Sequence, residues 1–323
     1  MRAIRVERYG GPEVLDVADV EAPRPGRGQL LVDVAATGVN FIDTYQRSGV
    51  YKVPLPFVPG SEGAGTVAAV GEGVTDVAVG DRVGWVAAPG SYAEQVVVPA
   101  DRAVPLPEWL SDEVAAAVLL QGATAHYLCT STYPVQTGDS VLVHAAAGGV
   151  GLLLTQLVKL RGGRVIATVS TDEKAALARR AGADEVIRYD RTDFAEETRR
   201  LTGGQGVVAV FDGVGQTTFD GSLASLRPRG MMVLYGAASG PVPPVDPQRL
   251  NVGGSLFLTR PSLVHHTATR DELLSRTGDV FEWIRAGRLD VRIGGRYPLN
   301  DARRAHEDLQ GRRTTGKLVL LPG

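Results

Sequence analysis

Short apolar runs alternate with helical stretches through the second half of the chain. The run Val141 to His144 is apolar and β-branched, as in a buried strand, and Val150 to Lys159 predicts a helix that ends before Gly162-Gly163. The alternation continues with predicted strands at 164–170, 184–189, 207–212, 231–235 and 255–259 and predicted helices at 174–181 and about 217–226. This order predicts an α/β fold with a doubly wound parallel sheet.

A turn of small residues joins the first of these strands to its helix. Ala146, Gly148 and Gly151 occupy the three small positions of a G-x-G-x-x-G pattern, with alanine at the first. Small residues let the backbone approach a pyrophosphate, and the helix N-terminus offers free N–H groups and a partial positive charge. The pattern predicts a Rossmann domain in which Gly148, Gly149, Val150 and Gly151 face the pyrophosphate of a dinucleotide.

From residue 1 to about 110 the pattern is different, with many short strands separated by glycine turns. Strands are predicted at 3–7, 15–20, 30–35, 60–70, 81–86, 92–98 and 103–105. They predict a small, partly open β-barrel. Further predicted elements are helices at 114–120, 123–130, 271–286 and 301–309 and a last strand at 317–321. The last pieces do not continue the βα alternation, so the predicted domains are residues 1–122 and 263–323, and residues 123–262.

Composition narrows the class of protein further. The chain of 323 residues is 44% apolar and 22% charged with a formal net charge of −2, which argues against a general nucleic-acid or anionic-membrane binder. The N-terminal segment lacks an apolar secretory core, and no run of about 18 apolar residues occurs, so we expect a cytoplasmic protein. The single cysteine, Cys129, excludes an internal disulfide and a multi-cysteine metal site.

Seven motifs carry a resemblance to a known family. They are Gly38-Val-Asn-Phe-Ile-Asp-Thr-Tyr45, Pro59-Gly-Ser-Glu-Gly-Ala-Gly65, Gly80-Asp-Arg-Val83, Gln121-Gly-Ala-Thr-Ala125, His144-Ala-Ala-Ala-Gly-Gly-Val-Gly151, Phe211-Asp-Gly-Val-Gly215 and Leu258-Thr-Arg-Pro-Ser262. In this order the chain resembles the zinc-independent, ζ-crystallin-like NADPH:quinone oxidoreductases of the medium-chain dehydrogenase/reductase superfamily. The resemblance implies a GroES-like catalytic domain with a Rossmann domain inserted in it, and an active site in the cleft between them.

The resemblance also bears on metal binding. Zinc-containing relatives have cysteine and histidine ligands in the motifs where this chain has Asn40 and Ser61, and neither residue offers the thiolate or imidazole that zinc prefers. Gln121 lies near the expected position of a third ligand. We therefore expect no metal, and substrates that accept hydride without a Lewis acid, such as quinones and C=C bonds conjugated to a carbonyl.

Candidate hydrogen-bond donors to the substrate are the Asn40 amide and the hydroxyls of Tyr45 and Tyr51. The alternatives are that Asn40 is a turn residue and that the tyrosines are core residues with solvated hydroxyls. Asp43 either orients Tyr45 or has a structural role, and the structural role is favoured. His144, inside a strand, is expected to be a core histidine with satisfied hydrogen bonds.

The fold and the resemblance assign further residues to NADPH. Those expected near the nicotinamide or the adenine are Gln121, Thr124, Tyr189, Gly236, Ala237, Phe257, Leu258 and Thr259, with Lys317 as a further cofactor-binding candidate. Ser170 and Thr171 end the second Rossmann strand, where an NAD site places a carboxylate, and Lys174 follows, so NADPH is predicted over NADH. Asp172 and Glu173 oppose this prediction if either turns toward the ribose, although both suit the first turn of a helix.

The predicted activity is quinone reduction with NADPH. Reduction of enones, alkenals or enoyl thioesters by the same machinery is the alternative, and an NADPH-binding structural or RNA-binding role is an alternative of another class, although no basic stripe favours nucleic acid. The expected partners are a small quinone or enone and a second copy of the chain, and neither nucleic acid nor a membrane. The apolar segment 255–259 would form an edge strand that pairs with its twin in a homodimer.

Overall fold

Residues 1–323 are all described by a computed structural model. The chain forms two compact units, the first comprising Met1–Gln121, Thr267–Thr277 and Val291–Gly323, and the second comprising Gly122–His266 and Gly278–Asp290. The second unit has one six-stranded sheet and one apolar core, whereas the first has a seven-stranded sheet, a two-stranded sheet and two apolar core clusters. The exact domain boundaries expected from the sequence stay a prediction. No helix is long and apolar enough to cross a membrane.

The elements follow one another along the chain in this order. The N-terminal part contains β1 (Arg2–Arg5), β2 (Asp16–Asp19), β3 (Gln29–Val39), α1 (Phe41–Arg47), β4 (Glu62–Val70), β5 (Arg82–Val86), β6 (Gln95–Pro99), β7 (Ala103–Pro105) and α2 (Asp112–Tyr127). The middle contains β8 (Ser140–Val143), α3 (Gly149–Leu160), β9 (Arg164–Val169), α4 (Asp172–Arg180), β10 (Glu185–Arg188), α5 (Phe194–Leu201), β11 (Val207–Asp212), α6 (Phe219–Ser225), β12 (Leu226–Leu234), α7 (Gln248–Val252), β13 (Phe257–Thr259) and α8 (Leu263–His266). The chain ends with α9 (Arg270–Arg285), β14 (Ile293–Pro298), α10 (Ala302–Gln310) and β15 (Lys317–Leu321).

The sheet of the second unit has the strand order β10-β9-β8-β11-β12-β13, and every neighbouring pair is parallel. In sequence order this is 3-2-1-4-5-6, the arrangement of a doubly wound dinucleotide-binding sheet. The predicted fold class is confirmed. Its core includes Leu142, Ile166, Val210 and Met232, one from each of four adjacent strands, as expected for strands that are covered on both faces.

The sheet of the first unit is mostly antiparallel, with the order β14-β15-β3-β4-β5-β7 and with β6 also paired to β3. The last strand of the chain, β15, pairs antiparallel with β3, so that Leu318 lies opposite Val39 and Leu320 opposite Thr37. The C-terminal strand therefore joins the N-terminal sheet, as the break in the βα alternation predicts. This pairing brings Lys317, the first residue of β15, to the end of β3 where Asn40 follows.

The structure corrects the sequence analysis at several helices. No helix is predicted over 41–47, yet α1 forms there, because Asn40 is extended (φ −127°, ψ 154°) and its backbone N–H donates to Asp43 Oδ2 at 2.8 Å. The helices predicted at 114–120 and 123–130 are one helix, α2, which continues through Gly122 into a π-helical turn at Leu128–Thr132. The sequence analysis also predicts no helix for α5, which Asp193 caps by accepting two backbone N–H bonds.

Candidate active site and cofactor-binding residues

Asn40, Glu62 and Lys317 form a buried cluster in the first unit, with exposures of 4%, 0% and 1%. Lys317 Nζ donates to Asn40 Oδ1 at 2.7 Å and to Glu62 Oε2 at 2.5 Å, and Asn40 Nδ2 donates to the same Glu62 oxygen at 2.9 Å. The other Glu62 oxygen accepts the backbone N–H of Leu120 at 2.6 Å. The carboxylate is thus paired with a cation and hydrogen-bonded, as a buried charge must be.

The backbone beside the cluster is closely packed. A Cβ at Gly38 would lie 2.4 Å from Glu62 Oε2 and 2.5 Å from the backbone oxygen of Ala116, which cannot move aside, so glycine is required there. The Asn40 amide has one orientation, because its oxygen faces an ammonium, which only donates, and its nitrogen faces a carboxylate, which only accepts. This part of the site is therefore fixed before any ligand binds.

These contacts bear on two predicted roles. Asn40 Nδ2 also donates weakly to Gly38 O at 3.3 Å, so its amide hydrogens already have protein acceptors. The expected donation from Asn40 to substrate stays a prediction. Lys317 is expected to bind the cofactor, and this too stays a prediction; the ammonium found here holds Asn40 and Glu62. Glu62 is not among the residues predicted for the site. An acidic residue at the start of the apolar strand β4 is the feature of the sequence that indicates a buried, paired carboxylate there.

Asp43 lies at the first turn of α1, behind Asn40. It is fully buried, and its Oδ2 accepts from the Asn40 backbone N–H at 2.8 Å and from the Tyr92 hydroxyl at 2.9 Å. Its Oδ1 makes no hydrogen bond. Burial raises the pKa of Asp43 to about 7, against the lowering effect of its two hydrogen bonds and of Lys317. Asp43 thus caps the N-terminus of α1 through the Asn40 backbone, and its favoured structural role stays a prediction.

Tyr45 and Tyr51, the predicted substrate-orienting tyrosines, lie together. The Tyr51 backbone N–H donates to Tyr45 O at 3.0 Å, and the two rings meet edge to face with centroids 5.4 Å apart. Phe41 contacts Tyr45 on the same helix, with centroids 6.4 Å apart. Ile42, Val50 and Leu55, which are close to the tyrosines in the sequence, are also exposed apolar side chains. The three rings form a cluster of which Tyr51 is 42% exposed.

In the second unit, the turn from β8 to α3 has the geometry of a phosphate-binding turn. A Cβ at Gly151 would lie 2.4 Å from Ala145 O and 2.7 Å from Ala146 Cα, so glycine is required for α3 to pack this close to the turn. A Cβ at Gly148 would meet only Ala145 O, at 3.2 Å. No side chain caps α3, which leaves the N–H groups of Gly149, Val150 and Gly151 for a ligand.

Ser170 and Lys174 lie next to each other beyond the end of β9. Lys174 Nζ donates to Ser170 Oγ at 3.4 Å, and Thr171 caps α4 by accepting the Lys174 backbone N–H at 3.2 Å. The Tyr189 backbone N–H donates to Val169 O at 3.2 Å, which places Tyr189, 40% exposed, beside the same strand end. The structure thus brings the Ser170 hydroxyl and the Lys174 ammonium together, with the Tyr189 backbone beside the same strand end.

Asp172, one of the two acids that oppose a preference for NADPH, turns toward β10. Its carboxylate accepts from the Arg188 guanidinium and, at 3.3 Å, from Arg191 Nη2. Arg188 also forms a two-pronged pair with Asp190, at 2.8 Å for both bonds. The hydrogen bond to Arg188 lowers the pKa of Asp172, so this carboxylate is charged and already paired with cations.

Other predicted cofactor residues are distributed over several elements. Gln121 and Thr124 occupy i and i+3 on α2 and share one face, and Gln121 Oε1 is buried without a hydrogen-bond partner, so it can accept from a ligand amide. Gly236 and Ala237 follow β12, and Phe257, Leu258 and Thr259 form β13. Carboxyl ends of parallel strands share one edge of a sheet, so Gly236 and Thr259 lie on the edge that carries Ser170 and the phosphate turn, whereas Phe257 starts its strand.

His144 is a core histidine, as expected. Its Nδ1 lies 2.8 Å from Thr168 Oγ1 and its Nε2 lies 3.0 Å from Ser222 Oγ, and burial lowers its pKa. Ser222 in turn donates to Asp212. Every polar atom of this imidazole is used inside the second unit. No group of three or more histidine, cysteine, aspartate or glutamate side chains in the chain is arranged to hold a metal ion.

Comparison with known proteins places this geometry in a class. The model of the alcohol dehydrogenase GroES-like domain matches residues 26–108, and the model of the zinc-binding dehydrogenase matches residues 149–275. The chain is 45% identical to a quinone oxidoreductase from Pseudomonas aeruginosa over 99% of both chains, and 42% identical to a Burkholderia 2-haloacrylate reductase over 98% of both. A mycobacterial structure complexed with NADPH is 56% identical over all of both chains, with a TM-score of 0.97.

The matched models and the two sheets define a medium-chain dehydrogenase/reductase, with a GroES-like domain and a Rossmann-like domain. Within that superfamily the chain belongs to the quinone oxidoreductase family. The resemblance deduced from the motifs is confirmed.

Proposed function

We propose that this protein transfers a hydride from NADPH to quinones without a metal ion. The observation that carries the proposal is the Asn40–Glu62–Lys317 cluster. At the position where zinc-containing relatives have a ligand, this chain has an amide that is locked by a lysine ammonium. A second cation beside that ammonium would be repelled at low dielectric. The acceptor must therefore be one that takes hydride without a Lewis acid, and quinones are of that kind.

The second unit supports NADPH as the hydride donor, as in the mycobacterial relative solved with it. NADPH supplies the hydride when it is bound. The uncapped N–H groups of α3 would hold its pyrophosphate, and Ser170 and Lys174 would hold its 2′-phosphate. Asp172, which would repel that phosphate, faces Arg188 and Arg191 instead. Tyr189 would pack against the adenine.

The first unit supports a flat apolar acceptor. Tyr45 and Tyr51 present an aromatic surface for the quinone ring, and their hydroxyls would donate hydrogen bonds to the oxygen that gains negative charge as the hydride arrives. Asn40 would border this surface in the single orientation that Lys317 and Glu62 allow. The protein would thus bind and orient the quinone, and the cofactor would supply the hydride.

Reduction of an activated C=C bond is the second candidate. It is supported by the 42% identity to a 2-haloacrylate reductase over almost the whole chain. A haloacrylate carries a C=C bond conjugated to a carboxylate, and an enone or alkenal carries one conjugated to a carbonyl. The same cofactor and the same hydrogen-bond donors would serve both reactions.

Parallel assays decide between these functions. Turnover of 1,4-naphthoquinone, of an alkenal and of 2-chloroacrylate is measured with NADPH in the presence of a chelator. We expect the highest kcat/KM for the quinone and no loss with chelator. A higher kcat/KM for the alkenal or for 2-chloroacrylate would select the second candidate. Tight NADPH binding with negligible turnover of all three would instead indicate a binding role, and activity that zinc restores after chelation would refute the metal-free site.

We also propose a homodimer. Its support is β13, an edge strand of the second sheet, whose Phe257 is 57% exposed. An exposed apolar edge is usually covered, and pairing with its twin across a two-fold axis would cover it. A monomeric mass in light scattering at micromolar concentration would refute this.

We further propose that residues 1–122 and 263–323 form one domain and residues 123–262 the other. The two compact units support a division into two domains. The proposed location is the cytoplasm.

A further inference from the structure

A chain of buried hydrogen bonds joins the two ends of helix α1. Arg47, the last residue of α1, has its Nη1 3.0 Å from His306 Nδ1. His306 Nε2 lies 3.1 Å from the Tyr92 hydroxyl, and that hydroxyl donates to Asp43 Oδ2 at 2.9 Å. Asp43 belongs to the first turn of the same helix. All four side chains are at most 2% exposed.

The hydrogen bonds in this chain can run in one direction only. A guanidinium has no acceptor, so His306 Nδ1 must accept from Arg47 and the ring proton must be on Nε2. Burial, with the nearby Arg47 charge, lowers the pKa of His306 to about 3, so the ring is neutral. Nε2–H then donates to the Tyr92 oxygen, and Tyr92 donates to Asp43. Every bond points from the cation to the carboxylate, which is the alignment in which such bonds strengthen one another.

These hydrogen bonds connect the short helix α1 to other elements of the fold. Helix α1 has seven residues, about two turns, and a helix of that length is not stable without tertiary contacts. Tyr92 precedes β6 and His306 belongs to α10, so the hydrogen bonds link both ends of α1 to two other elements. Arg47 adds bonds to Gln310 Oε1 at 2.9 Å and to Gly10 O at 3.2 Å. Tyr45, the proposed substrate-orienting residue, lies between the two anchored ends.

We propose that Tyr92 and His306 are positioning residues for the reaction, because they fix the helix that carries Tyr45 and begins at Asn40. The proposal rests on the proposed function of those two residues. Tyr92 and His306 are both 0% exposed, so neither touches a substrate. They act through α1. His306 accepts from Arg47 and donates to Tyr92, and Tyr92 donates to Asp43.

Three variants test this against simple packing. Tyr92→Phe keeps the ring and removes the hydroxyl, and His306→Leu removes both the acceptor and the donor. His306→Gln restores one acceptor for Arg47 and one donor for Tyr92. The matched control is Tyr297→Phe, which removes a tyrosine–aspartate bond of 2.9 Å to Asp308 on α10 and leaves all four side chains of the hydrogen-bond chain in place. For each we measure kcat and KM for 1,4-naphthoquinone, the Kd for NADPH, and amide hydrogen exchange across residues 41–47.

We expect Tyr92→Phe and His306→Leu to lower kcat about tenfold with an unchanged Kd for NADPH, since small misplacements of an orienting group cost rates of that order. Exchange at 41–47 should accelerate in both. His306→Gln and Tyr297→Phe should keep values close to wild type. If Tyr92→Phe keeps wild-type kcat and exchange, or if His306→Gln loses as much as His306→Leu, the proposal is wrong.

Failure of the proposed function would look different. In that case the wild-type protein itself would not reduce naphthoquinone, whatever the variants do. The exchange rates at 41–47 would still decide whether Tyr92 and His306 hold α1. Should His306→Leu fail to fold, Tyr92→Phe, which keeps nearly the same volume, decides by itself.

Discussion

Two groups of charged side chains in this molecule differ in their access to water. In the first unit, Glu62 and Lys317 are paired at no more than 1% exposure. In the second unit, Arg188 pairs with Asp172, whose side chain is 76% exposed. Both are ion pairs with short contacts, yet their physical consequences are opposite.

The difference lies in the alternatives that each charge has. A buried carboxylate that loses its partner has nothing to replace it, so the pair fixes the geometry of its neighbours, here the Asn40 amide. An exposed carboxylate can exchange its partner for water at little cost. The pair therefore orients the Asp172 carboxylate without stabilising the fold strongly. In the proposed site the buried group would therefore position the substrate-binding residues, and the exposed group would hold the Asp172 carboxylate away from the expected 2′-phosphate.

The largest expected effect is a difference in the free energy of unfolding between variants of the buried group and variants of the exposed group. Lys317→Met leaves Glu62 buried and unpaired, so the free energy of unfolding should fall by about 3–5 kcal/mol. Arg188→Gln removes the cation of the second group and should lower the free energy of unfolding much less, because the Asp172 carboxylate that it leaves is exposed to water. Urea denaturation measures both. Adding Glu62→Gln to Lys317→Met should recover much of the loss, and equal small losses for the two single variants would end the distinction between the groups.

The next effect concerns the exposed group and its ligand. Lys174→Ala should weaken NADPH binding roughly 10- to 150-fold, the value of a charged hydrogen bond, and leave NADH almost unaffected. Titration of each cofactor followed by fluorescence measures this. Lys159→Ala is the matched control, because it removes a lysine that is paired with Asp184 rather than with Ser170. Equal losses for both cofactors, or a wild-type preference for NADH, would show that Lys174 does not bind the 2′-phosphate.

A third effect tests what the buried group positions. Tyr45→Phe and Asn40→Ala should each lower turnover of naphthoquinone at least roughly tenfold, because a hydrogen bond to developing charge is lost or misplaced. Affinity for NADPH should change little. Tyr133→Phe, which removes a hydroxyl bonded to Asp139 in the second unit, should keep wild-type turnover. Wild-type rates in both site variants would make Tyr45 and Asn40 packing residues.

A fourth effect is a pH dependence of stability whose two opposing parts nearly cancel in the wild-type protein, so that its net size there is the smallest. Burial raises the pKa of Asp43 from 3.8 to about 7, so its contribution to stability falls as the pH rises from about 4 to about 7. The pKa of His306 is lowered from 6.5 to about 3, so its contribution falls as the pH drops from about 6.5 toward 3. Between pH 4 and 6.5 the two slopes, each about 1.4 kcal/mol per pH unit, oppose each other.

Single variants should expose these slopes. Between pH 4.5 and 6.5, the stability of Asp43→Asn should rise with pH relative to wild type, and that of His306→Gln should fall. Glu62 and Lys317 are present in both variants and cancel in the comparison. Urea denaturation at three pH values gives the slopes, and a shift of both variants in the same direction would contradict the assigned ionisation states.

The sequence predicted the second unit better than the first, for physical reasons. Apolar runs and the small-residue turn are local patterns, so strands β8 to β13 and the turn at Gly148 follow from neighbouring residues. Lys174 and Ser170 are four positions apart and meet at the start of one helix. That local spacing is what made this pair predictable.

The buried polar chain of the first unit was not predictable in the same way. Arg47 and His306 are 259 positions apart, and Lys317 and Glu62 are 255 apart, so only the folded sheet brings them together. Helix α1 was missed because its stabilising contacts are tertiary, apart from the short-range bond from Asn40 to Asp43. Lys317 was expected to bind the cofactor or, as a lysine at the start of a strand, to be solvated. Its burial depends on the pairing of β15 with β3, which the local sequence does not show.

A crystal structure with NADPH bound would show directly whether the two charged groups have the roles proposed for them. We predict that the 2′-phosphate lies within about 3 Å of Lys174 Nζ and Ser170 Oγ, with Asp172 still on Arg188 and with Asn40, Glu62 and Lys317 in the same contacts as here. Asp172 turned onto the ribose hydroxyls, or Lys317 released from Glu62 to face the cofactor, would contradict the division between a buried group that positions and an exposed group that selects.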